Sequence, residues 1–172
     1  MGRRVTIQGK DGSFSAYVAD GKTRDGPAIV VIQEIFGVNR VMRDIADSLA
    51  EEGYTAVVPD LFWRIERGID ITDQTDAEWE KAFSYFKAFN VDKGVEDIAA
   101  TIAWMRAQGH RKVGAEGYCL GGLLAYMTGT RTDIDATGRL RSNQQRRLGG
   151  KLASDNHLLH VAARKRADRR VG

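Results

Sequence analysis

One stretch of this chain has the residue types and spacing of a nucleophile built into a tight bend: Gly117-Tyr118-Cys119-Leu120-Gly121-Gly122. A side chain held at a sharp strand-to-helix turn needs small residues two positions before and two after it, because the strained backbone brings its neighbours into close approach. A thiol placed there stands at a helix N-terminus, where partial positive charge favours thiolate over thiol. Cys119 is therefore a candidate attacking group. The competing reading is a buried core cysteine beside glycines chosen for packing. It is the single cysteine of the chain, so an internal disulfide is excluded.

Bends of this kind hold an oxyanion with the backbone N–H of the residue after the nucleophile and a second N–H from the loop after an earlier strand. Those positions are Leu120 and Ile35. Glu34 lies in the same loop, beyond the apolar run Ala28-Ile29-Val30-Val31-Ile32. A carboxylate there is costly unless it has a partner, so it reads either as a salt-bridged loop acid or as part of the chemistry.

These residues need elements to position them. Val5-Thr6-Ile7 and Phe14, Ala16 and Val18 flank a Lys10-Asp11-Gly12 turn and predict a hairpin. The run from Ala28 to Ile32 suits a strand buried on both faces. Asn39 can cap a helix with apolar positions Val41, Ile45, Leu49 and Ala50, which Gly53 ends. Tyr54-Thr55-Ala56-Val57-Val58 is a second buried strand, closed by Pro59-Asp60, which completes a βαβ unit. Residues 61–75 read as irregular. An aromatic-rich helix follows from Asp76 to Phe89, with Trp79, Phe83, Phe86 and Phe89 expected to pack over an apolar surface. Val95, Ile98, Ile102 and Met105 form one stripe of a further helix ended by Gly109. Lys112 to Glu116 is then a strand that feeds the Cys119 bend.

Alternation of this kind specifies the α/β class: a mostly parallel sheet with helices on both faces and ligands beyond the carboxyl ends of the strands. Gln33-Glu34-Ile35-Phe36-Gly37, Pro59-Asp60-Leu61 and Gly117-Tyr118-Cys119-Leu120-Gly121-Gly122 together closely resemble the dienelactone hydrolases, or carboxymethylenebutenolidases, over roughly residues 5–135. The resemblance implies an α/β-hydrolase-like sheet, incomplete at the C-terminus. It also implies hydrolysis of a lactone or ester, in the family dienelactone to maleylacetate in aromatic compound degradation, through a cysteine acyl-enzyme. By that resemblance Cys119 is the nucleophile of a Cys-His-Asp triad and Glu34 helps to generate the thiolate. The family holds a substrate carboxylate with arginines, one of them near the aromatic helix, where this chain offers Trp79 and Lys81.

In this fold the acid and then the histidine follow the nucleophile along the chain. Asp168 stands at nearly the distance expected of the acid, within the charged stretch Arg166-Ala167-Asp168-Arg169-Arg170. The chain ends before the family's histidine position. His157 and His160 follow the nucleophile but read as structural, and His110 carries no functional expectation. The alternative to a hydrolase is thus a non-catalytic or truncated α/β domain lacking the triad histidine.

Composition divides the chain in two. Residues 136–172 hold ten Lys/Arg against two Asp and no aromatic residue, whereas the whole chain has a net charge of only +3. The expected organisation is a hydrolase core over 1–135 and a basic, atypical tail over 136–172, with a reading-frame change near Thr137 as one explanation. Without aromatics the tail could bind nucleic acid only non-specifically, and no such partner is expected. No apolar run approaches the roughly 20 residues a membrane helix needs. The start of the chain lacks a secretory pattern. The expectation is a cytoplasmic monomer acting on a small lactone or ester, with no cofactor and no metal.

Overall fold

The computed structural model describes residues 2–140. In chain order the elements are β1 (Arg3–Gln8), β2 (Ser13–Ala19), β3 (Ala28–Ile32), α1 (Arg40–Glu52), β4 (Thr55–Pro59), α2 (Asp76–Ala88), α3 (Val91–Ala107), β5 (Val113–Tyr118), α4 (Leu120–Arg131) and β6 (Ala136–Leu140). The strands form one sheet in the order β1-β2-β4-β3-β5-β6. The predicted hairpin β1–β2 joins β4 antiparallel, and β4, β3, β5 and β6 run parallel. After β3 the chain moves to one side to form β4 and then returns to the other side to form β5. The gap between the ends of β3 and β5 is therefore the switch point at which open α/β sheets bind ligands.

Both faces of the sheet are covered, as the continuous apolar strands require. Val30, Ile32 and Val57 pack with Ile98, Ile102, Met105 and Leu124 of α3 and α4. Their neighbours Val31, Ala56 and Val58 point the opposite way, onto Met42 and Ala46 of α1. Full burial of one such aliphatic side chain stabilises the fold by about 2 kcal/mol. The caps also follow the sequence: Asn39 accepts the Met42 N–H at 3.2 Å, and Gly53 ends α1 in the left-handed conformation.

In α1, Ile45, Leu49 and Ala50 pack against the core beside the buried Met42 and Ala46, as their spacing predicts, and Val41 of that set is exposed. Helix α2 turns differently from its apolar spacing. In α2 the buried residues are Ala82 and Tyr85, whereas Trp79, Phe83 and Phe86 are 37%, 48% and 48% exposed. Of the four aromatics expected to pack, Phe89 is the one that turns inward, edge-on to Phe62 at 5.5 Å. Tyr85 already lies against Phe62 at 5.5 Å, and that contact fixes the rotation of the helix.

The irregular segment between β4 and α2 is tied down by side chains. Asp60 accepts the N–H groups of Phe62 at 3.2 Å and Gly68 at 2.9 Å. Its burial pushes the carboxyl above the ordinary range, and those two bonds draw it part of the way back. The buried Asp97 of α3 holds Trp63 Nε1 at 2.9 Å and the Arg64 guanidinium. At the other boundary, β6 pairs with β5 from Ala136 onward.

Candidate active site

The Cys119 bend has the strain that its sequence spacing demands. Cys119 has φ 51° and ψ −114°, and it is the single non-glycine residue with positive φ among the described residues. Such a conformation costs about 1–3 kcal/mol and persists only where surrounding structure enforces it. The enforcement is steric: a Cβ on Gly117 would stand 2.0 Å from the Gly121 carbonyl oxygen, and Gly121 in turn lies against the backbone of Ile32 and Gln33. Cys119 is exposed, so the reading of it as a buried core residue does not hold. Leu120 follows as the first residue of α4, and its N–H belongs to the first turn, which has no partners within the helix.

The loop after β3 is locked beside this bend. Gln33 is fully buried; its Oε1 accepts the Leu61 N–H at 3.0 Å and its Nε2 donates to the Glu34 carbonyl at 3.3 Å. The Gln33 motif and the Pro59-Asp60-Leu61 motif are thus two ends of one clamp. Ile35 stands in the turn that Glu34 and Gly37 close, with its side chain in the core. Gly37 is required there, because it has φ +80° and a Cβ on it would meet the Ile69 carbonyl oxygen at 2.1 Å.

Glu34 is half-buried and close enough to Tyr118 for its charge to act on that hydroxyl. Burial, the Glu116 carboxylate and then Glu34 together push the Tyr118 hydroxyl well above its ordinary value. Tyr118 donates to Glu116 Oε1 at 3.2 Å. The Glu116 carboxyl is itself raised, first by burial. This Glu116–Tyr118–Glu34 group beside Cys119 was not anticipated. Its one sequence signal is a glutamate inside the apolar strand Val113-Gly114-Ala115-Glu116.

The two residues expected at the substrate separate. Trp79 adjoins the Glu34 loop, edge-on to Phe36 with centroids 5.0 Å apart, and its Nε1 donates to the Asp73 carbonyl at 3.1 Å. Lys81 instead pairs with Glu66 at 3.4 Å and lies over the Tyr85 ring. Asp168, His157 and His160 lie outside the described residues. His110 has its Nδ1 2.8 Å from the carbonyl of Gly26, which precedes β3, and so sits at the opposite end of the sheet from Cys119.

Two clefts stand away from the bend. One of about 300 Å³ lies over β3, β5 and β6 and includes Glu116; the other, of about 350 Å³, is lined by His110, Trp104 and Arg24. Neither is lined by Cys119. Among the described residues, no three His, Cys, Asp or Glu side chains converge to hold a metal ion, and no helix is long and apolar enough to cross a membrane.

A switch-point loop, a strained cysteine bend and helices on both sheet faces define the class of α/β hydrolases. The chain belongs to the dienelactone hydrolase family, whose model matches residues 14–140. It is 40% identical over 134 residues to a carboxymethylenebutenolidase of Pseudomonas putida, covering 76% of this chain and 57% of that protein. It is 43% identical over 162 residues to a provisionally named carboxymethylenebutenolidase of Azospirillum brasilense, covering 90% of this chain and 68% of that one. A match of that extent cannot fit within residues 1–140, so it reaches into the basic segment.

Among solved structures, a provisionally named dienelactone hydrolase from Klebsiella pneumoniae superposes with a TM-score of 0.67 at 25% identity, covering 80% of this chain and 57% of the other. The α/β hydrolase GrgF from Penicillium sp. sh18 shares the fold at a TM-score of 0.62 and 18% identity, over 81% of this chain and 45% of that one. The chain thus spans from about half to about two-thirds of the length of the relatives it matches.

Proposed function

We propose that this chain carries the nucleophilic half of a hydrolase that cleaves a lactone or ester through a cysteine acyl-enzyme, the family reaction being dienelactone to maleylacetate. The observation that carries the reading is the strained, exposed Cys119 at the N-terminus of α4. The Cys119 thiol gives its proton to the Glu34 carboxylate, and the sulfur attacks the substrate carbonyl carbon. The N–H groups of Leu120 and Ile35 receive the charge that develops on the carbonyl oxygen. The carbon–oxygen bond to the leaving group then breaks, the departing alkoxide or enolate takes the proton back from Glu34, and a thioester is left on Cys119. Water hydrolyses the thioester to the free acid and restores the thiol.

Trp79 bounds the substrate on the α2 side. Lys81 was expected to supply a point charge there, and its pairing with Glu66 leaves it a secondary part. Asp168 is the proposed acid of the triad. The family relationship supports a small-molecule substrate. The cytoplasm and a monomeric state are part of the same proposal.

The test is p-nitrophenol release from p-nitrophenyl acetate by the full chain, with mass spectrometry of the protein during the burst. The expected result is a stoichiometric burst and one acetyl group on Cys119. Equal rates for the parent and Cys119→Ala would reject the hydrolase reading. They would leave a second reading, an α/β domain that does not turn over substrate. One observation favours that second reading: His110, the single histidine among the described residues, lies at the far end of the sheet.

A further inference from the structure

We infer that the part of the substrate facing α2 is an uncharged alkyl or aryl group, held on an aromatic ladder made by Phe36, Trp79 and Phe83. The inference rests on the reading of Cys119 as nucleophile and adds the class of substrate to it. Phe36 belongs to the same Glu34 loop that touches the cysteine bend. Trp79 stands edge-on to Phe36 at 5.0 Å, and Phe83 lies next to Trp79 at 5.6 Å. Phe86 extends the stripe by one more helical turn.

Phe36 is a buried core ring, and Trp79 and Phe83 carry the ladder from it to the surface. Ala82 and Tyr85 bury the inner face of α2, and the ladder faces outward, with Trp79, Phe83 and Phe86 between 37% and 48% exposed. A contiguous exposed aromatic surface of this kind marks a binding site more often than it does ordinary surface. It is also preformed. The Trp79 ring is fixed at its nitrogen by the Asp73 carbonyl and at its face by Phe83, so a ligand need not pay to order it.

The charges around the ladder argue against a carboxylate on this side of the substrate. Lys81 is engaged by Glu66 and the Tyr85 ring. Arg64 is held by Asp97 and Asp11, and Arg67 lies over Trp63 and donates to the Ser13 carbonyl. Among the described residues no guanidinium is presented beside the ladder as a fork for a carboxylate. Asp76, Glu78 and Glu80 instead place three acids on the first turns of the same helix. An anionic group would meet repulsion there, and an apolar group would meet three rings.

The test uses the full chain and two stable ketones that resemble an ester, hexanophenone and the same ketone with its terminal methyl replaced by a carboxylate. Each is titrated by tryptophan fluorescence and by NMR, with the parent protein, Trp79→Arg and Phe83→Ser. The expected result is binding of hexanophenone at least about tenfold tighter than its acid, a preference that Trp79→Arg removes and Phe83→Ser weakens. Equal or tighter binding of the acid would overturn the inference. So would binding of neither ligand, the outcome if another segment or partner covers the ladder, or unchanged preference in both variants. Turnover is not part of this readout. A failed acetate burst with an intact ketone preference removes the nucleophile and keeps the apolar surface. A normal burst without the preference does the reverse.

Discussion

Gly121 in the first turn of α4 lies against Gln33 at the end of β3. A methyl group on Gly121 would stand 2.8 Å from the Gln33 carbonyl oxygen and 2.4 Å from that of Ile32. The contact sets the spacing between the cysteine bend and the Glu34 loop, the two sides of the switch point. Backbone touches backbone here, and no side-chain rotation can relieve an added atom. Gly121→Ala is expected to destabilise the protein by about 3 kcal/mol and to abolish the acetate burst. Urea denaturation gives the first quantity; a variant with parental stability would show that the two segments can move apart freely.

Gln33 joins the Glu34 loop to the start of the segment after β4. Gln33→Leu keeps most of the volume and removes the acceptor of the Leu61 N–H, leaving a buried donor unsatisfied. The expected cost is about 1–3 kcal/mol. A slower Cys119 burst should accompany it, because the same side chain holds the Glu34 carbonyl. The midpoint of denaturation and the burst rate, measured on one preparation, check both parts.

Glu34→Gln separates chemistry from structure at the loop. The amide cannot accept the thiol proton, so alkylation of Cys119 by iodoacetamide near neutral pH should slow by about tenfold. An unchanged alkylation rate across the pH range would remove Glu34 from the mechanism.

Glu116 makes a prediction about pH. Burial raises its carboxyl above the ordinary 4.5, the Tyr118 hydroxyl bond draws it back, and the charge of Glu52 raises it further. Between 4.5 and the raised value, the folded protein holds a proton that the unfolded chain has released. Stability therefore falls as pH rises through that window. Glu116→Gln removes the ionisation, so variant and parent should melt together at about pH 4 and the variant should melt higher at about pH 8. A gap that is widest at the acid end would contradict this reading.

The sequence by itself determined strands β1 to β5, both ends of α1, the class of sheet and the glycine-flanked bend at Cys119. These follow from local rules: β-branched runs buried on both faces, Asn39 and Gly53 at the ends of α1, and glycines where φ or a close approach forbids a Cβ. Which face of a helix turns inward was not local. The spacing of the α2 aromatics fits an inward stripe, yet Ala82 and Tyr85 are the residues buried and Trp79, Phe83 and Phe86 are exposed, whereas in α1 Val41 alone of its stripe faces out. Only the tertiary structure decided that Lys81 belongs to Glu66, that Gln33 reaches Leu61, and that Glu116 and Tyr118 share a buried bond beside Glu34. Lys81 with Glu66 and Gln33 with Leu61 join separate segments, where distance along the chain carries no record of distance in space; Glu116 and Tyr118 share a face of β5 by alternation, and what the tertiary structure added is their burial and the nearness of Glu34.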